Sequence, residues 1–454
     1  MAGAICPLLA GSLDLATVRP ALLRTASHLF PLHEGLSMSA RLSLFALLLI
    51  GACTRLAGAA DWPQWRGPER TGISTETGLA QSWPEAGPPL AWKIDTVGIG
   101  FSTPAVADKR IYVMGNRDNS EWIFALDSTK KGKLVWEMPV GPVRNEGAGY
   151  PGPRSTPTYD GKRIYTLGIN GDLLALESKT GAIAWRRDLV ADFGGGIPNW
   201  GYSESVLVDG NRLLCTPGGS QATLVALDKR NGEVLWKSPV GDGAGYSSII
   251  KAELAGRTQY VQFTAQGVIG VAADTGEFLW RYNGPANGTA DISTPLSEGD
   301  YVFAASGYGT GGGLVMIRRN GKAFTADQVF FSKDIKNQHG GVLLIDGFLY
   351  GANDPSLLSC LDFKTGDLKW SDRAPGKCSL AFADGRLYAR SEEGKVSLVE
   401  ANPSKCIVHG QFEQPDRSEQ PSWPHPVIAN GQLLLRDQGK LLVYDIRAAG
   451  AKGK

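Results

Sequence analysis

Cysteine and histidine are scarce in this chain, and neither sign of charge is in excess. Among 454 residues there are 6 Cys, 5 His and 5 Met, and 46 Lys+Arg stand against 45 Asp+Glu. A near-zero net charge with no basic block excludes the electrostatic footprint of a nucleic-acid surface. Beyond residue 60 only Cys215, Cys360, Cys378 and Cys406 remain, too scattered for a disulfide framework. His339, His409 and His425 lack metal-ligand spacing. No Gly-x-Ser-x-Gly elbow occurs, and no Asp-rich cluster offers the converging oxygens that calcium requires.

No apolar run is long enough to span a bilayer comfortably. The stretch MSARLSLFALLLIGAC from Met38 has one early positive charge, Arg41, and a short apolar core, Leu42 to Ala52. It reads as an export signal covering 38–59, with Ala57-Gly58-Ala59 as the cleavage site. Ile50-Gly51-Ala52-Cys53 loosely matches a lipoprotein box, which makes Cys53 the lipid anchor in the alternative reading. Residues 1–37 then precede the signal as an over-long start, 60–450 form one domain, and 451–454 form a tail.

Glycine and proline are abundant instead, 58 and 26, and evenly spread, as short strands joined by tight turns require. One phrase recurs: FALDSTKKGKLVW, LALESKTGAIAW, VALDKRNGEVLW, GVAADTGEFLW and SCLDFKTGDLKW, with weaker copies ending at Phe331 and Phe412. The endpoints fall about 40 to 50 residues apart, the period of propeller blades. Within a period, turn pairs such as Asp160-Gly161, Asn170-Gly171 and Thr180-Gly181 separate four apolar runs.

Seven internal repeats are completed by an eighth. The C-terminal HPVIANGQLLLRDQGKLLVYDI has three strands and no closing Trp, and the N-terminal GPPLAWKID supplies the closing strand. The expected fold is an all-β, eight-bladed β-propeller of four-stranded antiparallel blades, its ring closed across the termini. Trp92, Trp136, Trp185, Trp236, Trp280, Phe331, Trp370 and Phe412 are expected to wedge between blades. Cys360 stands where other copies have Ala125, Ala175 and Ala226, so a small buried side chain is expected there.

The phrase A-L-D-x-x-T-G-x-x-x-W resembles the repeat of the pyrroloquinoline quinone (PQQ) propellers over roughly residues 61 to 446. That family has an enzymatic branch, the quinoprotein alcohol dehydrogenases with PQQ and calcium on the axis. It also has a non-enzymatic one, BamB of the outer-membrane assembly machinery. The opening DWPQWRGP with LAWKID is most similar to secreted PQQ-like repeat proteins of planctomycete-type bacteria. The resemblance implies a vicinal Cys pair, a Cys-x-x-Cys-His haem motif in some members, and calcium-binding acids in the dehydrogenases. This chain has no adjacent Cys and no such haem motif, and Glu204 and Asp291 lie on different blades.

In a propeller the innermost strands line the axis, and the segments leading into them form one face. Aligned on their turns, these segments begin near Phe101, Arg154, Ser203, Tyr246, Asp291, His339, Lys377 and Trp423; the funnel they suggest comprises Arg154, Tyr202, Glu204, Tyr246, Asp291, Asn337, His339, Lys377, Trp423 and His425, with Tyr150 and Trp200 as further aromatic faces. The expectation is an anionic or planar ligand held by Arg154 and Lys377, stacked on an aromatic, with His339 as hydrogen-bond partner. The hydroxyl residues of GFSTP, RSTP, GYSES, GYSS and ISTP suit a crowded axis. Trp62 and Trp65 of DWPQWRGPERTGIS are expected to pin the chain's start against a blade, not to hold a ligand.

The expected protein is an exported, monomeric envelope scaffold with an unidentified protein or small-ligand partner, and with no cofactor. The alternatives are a PQQ- and calcium-dependent alcohol or sugar dehydrogenase with a degenerate site, and a carbohydrate-binding propeller.

Overall fold

The turn chemistry of each repeat is realised as hairpins. At Asp346-Gly347, Asp384-Gly385 and Asn430-Gly431 both residues take positive φ, as a two-residue type I′ turn requires. The computed structural model describes residues 60–144 and 150–450, all within the unit Ala57–Lys454. The expected leader, the residues before it, Cys53 and the tail lie outside the described residues.

The strands form eight four-stranded antiparallel sheets, each in sequence order except the last. Blade one runs Ala105–Ala107, Arg110–Arg117, Ser120–Asp127 and Lys133–Pro142. Blade eight joins Val427–Ala429, Gln432–Asp437 and Lys440–Asp445 to Leu90–Ile94 from the other end of the chain. Trp92 pairs with Val443 in that seam. The middle strands are almost wholly buried and the outermost ones alternate, because only their inner face is covered.

The two hallmark residues of the repeat meet across the blades. Trp136 of blade one lies on Gly181 of blade two, where an added Cβ would stand 2.6 Å from the ring. Trp185 lies on Gly232, Trp236 on Gly276, and Trp92 on Gly132, so the relation passes through the closure. Four indole N–H groups also reach a carbonyl of the next blade: Trp136 to Ser178 at 2.8 Å, Trp185 to Lys229 at 2.9 Å, Trp236 to Ala273 at 3.3 Å and Trp370 to Asn402 at 2.8 Å. The glycine is thus required twice, for a positive φ and for a bare surface under the indole.

Four seams vary the scheme, the plainest being Trp370, whose facing turn Asn402-Pro403-Ser404-Lys405 has no glycine. Trp280 packs with Val302, Val315 and Ile317 of blade five, whose long outer hairpin brings no glycine beneath the indole. In blade five the wedge is Phe330, which lies on Gly366, and not Phe331 as expected. Phe330 is the residue that follows the bulge facing Leu314 and Val315, as Trp136, Trp185 and Trp236 follow theirs, and Phe331, one residue on, turns to Gly311 and Gly313 of its own blade. Phe412 sits on Gly87 and packs edge-on against Trp83. Cys360 is fully buried at its Ala-equivalent position.

Candidate functional site

Around the axis the hydroxyl residues stitch neighbouring blades together. Thr156 N–H donates to Ser205 Oγ at 2.8 Å, and Ser205 N–H to Ser248 Oγ at 3.0 Å. Ser247 Oγ donates to the Ser293 carbonyl at 3.2 Å, and Ser293 Oγ to Asn337. Ser379 Oγ donates to the Trp423 carbonyl, and His425 N–H to Thr103 Oγ1 at 3.1 Å, which carries the chain of bonds from blade eight to blade one. The two remaining junctions use backbone pairs, Phe101 N–H to Pro153 O and Leu380 N–H to Gly340 O.

The stretch DWPQWRGPERTG crosses this axis. Trp62 pairs with Val106 of blade one, Tyr159 N–H donates to Pro63 O, and Phe382 N–H donates to Gly72 O. Trp65 Nε1 donates to Thr294 Oγ1 of blade five at 2.9 Å, and its ring lies 4.5 Å from the His425 ring. Arg66 donates to the Val342 carbonyl, and Arg70 to the Ser205 and Val206 carbonyls. Both guanidiniums are buried, which lowers their pKa to about 10 and leaves them charged. The segment separates two hollows. Trp65 stands in the wall of the first, and Glu69, Arg70 and Thr71 in that of the second.

The first hollow is a cup of about 220 Å³ on the face where the innermost strands begin. Phe101, Tyr150 and Trp423 form one aromatic cluster from blades eight, one and two, with Trp423 4.6 Å from Tyr150 and 4.9 Å from Phe101. Trp200, Tyr246 and Tyr308 form the other from blades three to five, with Trp200 5.5 Å from Tyr246. Gln338 and His339 enter from blade six, and Gln338 Nε2 donates to Tyr308 Oη at 2.9 Å. Among the described residues no aspartate or glutamate lines the cup.

Of the expected funnel, Arg154, Tyr246, His339, Trp423 and His425 line this cup. Tyr202, Glu204, Asp291, Asn337 and Lys377 do not. Tyr202 is packed in the core and donates to the Pro217 carbonyl. Glu204 is buried behind the wall, accepts from Thr216, and has its pKa raised to about 8 by burial. Asp291 is buried likewise, with a pKa raised to about 7. Asn337 holds the Ala352 carbonyl and Ser293. Side chains alternate along these segments, so Ser203 and Ser205 face the cup while Tyr202 and Glu204 turn away.

The expected anion clamp is not formed. Arg154 Nη1 donates to the Trp200 carbonyl at 2.8 Å and Nη2 to the Tyr150 carbonyl at 2.7 Å. Lys377 stands at the rim between Asp354 at 3.1 Å and Glu392 at 3.5 Å, and also meets Gln338. Glu392 accepts from Trp423 Nε1 at 2.7 Å. The residues that sequence reasoning missed are Trp65 and Tyr308. Trp65 belongs to a segment outside the repeat and is a cup residue as well as an anchor.

The two histidines of the cup are neutral. Burial lowers both pKa values to about 3, helped at His339 by Lys377 and at His425 by Arg66. His425 Nε2 lies 2.9 Å from the His339 carbonyl, so Nε2 carries the proton and Nδ1 is an acceptor. That Nδ1 and both ring nitrogens of His339 are sealed from solvent and make no hydrogen bond, with His339 Nδ1 lying 3.6 Å from Glu392 Oε1. Among the described residues no group of three or more His, Cys, Asp or Glu is placed to hold a metal.

A ring of eight such blades with this repeat defines a PQQ-like β-propeller. The chain belongs to the family described as outer membrane protein assembly factor BamB, which matches residues 119–372. It is similar to BamB of Burkholderia pseudomallei, 26% identical over 60% of this chain and 68% of that protein. It is also similar to BamB of Kangiella koreensis, 23% identical over 46% of this chain and 49% of that protein, about half its length. Among solved structures it resembles BamB from Moraxella catarrhalis, with a TM-score of 0.54 and 13% identity over 78% of this chain and 99% of that one. It resembles a quinohemoprotein alcohol dehydrogenase from Pseudomonas putida as well, with a TM-score of 0.56 and 13% identity over 87% and 81%. These structural likenesses are likenesses of fold.

Proposed function

We propose that the protein is an exported protein-binding scaffold of the cell envelope that works without PQQ or calcium. The observation that carries this reading is a set of exposed apolar side chains on the cup face. Ile99 (49% exposed), Tyr150 (38%), Ile197 (36%) and Tyr308 (47%) stand on loops of four different blades. Apolar groups gathered on one rigid face mark an interaction surface. The naming of the relatives as outer membrane protein assembly factors supports a partner among envelope proteins. The donor set supports a reading without PQQ chemistry: calcium takes several oxygen ligands, with carboxylates prominent, and among the described residues the cup has no carboxylate. Arg154 faces backbone carbonyls and offers no clamp for a tricarboxylate.

A photo-crosslinking residue placed at Ile99, Ile197 or Tyr308 in the full-length protein tests this in the producing cells. One defined envelope protein is expected in the adduct, lost when the neighbouring apolar position becomes Glu and retained with Val234→Glu on the outer rim. Adducts that appear equally from position 234 overturn the reading. Absorbance and dye-reduction assays with added PQQ, calcium and an alcohol are expected to stay at baseline.

A further inference from the structure

The cup differs in kind from the face around it. At about 220 Å³ it is smaller than the roughly 300–1,000 Å³ of sites for drug-sized molecules, so it has room for a single ring. Aromatic side chains reach it from six blades, and Trp65 reaches it from the axial segment. The rings hold one another in place: Trp423 lies against Phe101 and Tyr150, Trp200 against Tyr246, and Trp65 against the His425 ring. The walls are therefore set before any occupant arrives, which lowers the entropy cost of binding.

The main polar groups of the wall are already committed to the protein. Arg154 is turned onto the Trp200 and Tyr150 carbonyls. The Gln338 amide gives an N–H to Tyr308 and accepts from Lys377. The indole N–H groups of Trp65 and Trp423 are spent on Thr294 and Glu392. The imidazole nitrogens of His339 and His425 are sealed behind the wall or bonded within it. What is left for an occupant is chiefly π surface, and a second aromatic ring meets such surface well, offset or edge to face. The mouth bears on what carries that ring. Ile99 and Ile197 stand exposed on the loops that lead to Phe101 and Trp200, and Tyr150 and Tyr308 are exposed at the edge of the cup itself. A free ring would leave these apolar groups in water, whereas a side chain brings its own neighbours down onto them. An aromatic anchor in a pocket, with lesser contacts around it that exclude water, is how protein interfaces concentrate their affinity.

On the reading of this face as a protein-binding surface, we propose that the cup is the socket for one aromatic side chain of the partner, a Phe, Tyr or Trp inserted between the two aromatic clusters. The residues flanking that side chain cover Ile99, Ile197 and Tyr308.

The test has two arms. In calorimetry on the purified protein, p-cresol and 3-methylindole, the side-chain analogues of Tyr and Trp, are expected to bind saturably at one site. Ser203 lines the cup and is partly exposed, so Ser203→Phe fills it with a ring of the protein's own, while Trp423→Ala removes one wall. Each is expected to weaken analogue binding about 10-fold or more, the loss of an interface anchor, in protein that keeps its cooperative melt. No saturable binding of either analogue overturns the proposal, as does binding of tetramethylammonium or methyl glucoside that the analogues do not displace. In the producing cells, a photo-crosslinking residue at Ile197, outside the cup, is expected to give the defined adduct in the otherwise unchanged protein and about 10-fold less of it with Ser203→Phe or Trp423→Ala. An adduct undiminished in both variants overturns the inserted side chain and leaves the face a protein-binding surface. No adduct from the otherwise unchanged protein sinks the surface itself, and the inserted side chain with it.

Discussion

The seams at the rim and the seams at the axis hold the same blades together by opposite means. At the rim one device is repeated: an aromatic ring on a turn glycine, as at Trp92 on Gly132, Trp136 on Gly181 and Trp185 on Gly232. At the axis each junction uses different residues, and one non-repeating segment ties many blades at once through Trp62, Pro63, Trp65, Arg66, Arg70 and Gly72. Repetition makes each rim seam replaceable by its neighbours' strength. The segment on the axis has no duplicate, so its loss is felt around the ring.

The largest effect is therefore expected from deleting Asp61–Ser74. It removes buried Trp62 and two buried arginines that satisfy carbonyls of two blades. The cost should exceed the roughly 3–5 kcal/mol of truncating one buried Trp, read as loss of the cooperative thermal transition or a large fall in its midpoint. Any protein that stays folded should also have an altered cup, since Trp65 is part of its wall. That reverses the expectation from sequence, in which the segment served stability alone. Deletion with little change in the midpoint would show that the rim alone carries the ring.

How much of this was legible follows the same division. The repeat phrase announces the blades, the closure through Leu90–Ile94 and the wedge residues, because every copy restates the same contact. Phe330 in place of Phe331 is the single wedge moved: two adjacent phenylalanines compete for the position, and the one that follows the bulge common to all blades takes it. At the axis, turn alignment finds the right segments and even Ser203, but the larger Tyr202 and Glu204 beside it were favoured as funnel residues, and alternation turns both of them behind the wall. Trp65 was illegible for a different reason: nothing local to DWPQWRGPERTG says that its partners are Thr294 and His425.

A matched pair of glycines measures one rim seam. Gly181 and Gly385 both have positive φ, 76° and 78°. An added Cβ at Gly181 meets Trp136 at 2.6 Å, while at Gly385 nothing lies within 4 Å. Gly385→Ala should cost about 1–2 kcal/mol, the left-handed backbone alone. Gly181→Ala adds an overpacking cost of about 1–3 kcal/mol. Denaturant melts read the difference, and equal costs would mean that the indole slides aside freely. Because seven other seams remain, even the larger loss should fall short of that for Asp61–Ser74.

The smallest effect concerns the acids walled off behind the axis. Burial raises the pKa of Glu204 and of Glu121 to about 8, well above the ordinary carboxyl value. The folded protein therefore holds these protons where the unfolded chain has released them, so their contribution to stability is lost as pH rises through about 8. The cup histidines act in the other direction. With folded pKa values near 3, their contribution is present above the usual histidine pKa of about 6.5 and lost as pH falls toward 3. The window from about pH 6.5 to 8 thus isolates the acids, and stability should fall across it by about 1–2 kcal/mol per buried glutamate. Glu204→Gln should remove its share of that slope, while Glu277→Gln on the exposed rim should not. Arg70 pulls Glu204 toward ionisation, so an unchanged slope in Glu204→Gln would mean that the axial segment already holds this acid as an ion pair, and that the axis is secured by charge as well as by carbonyls.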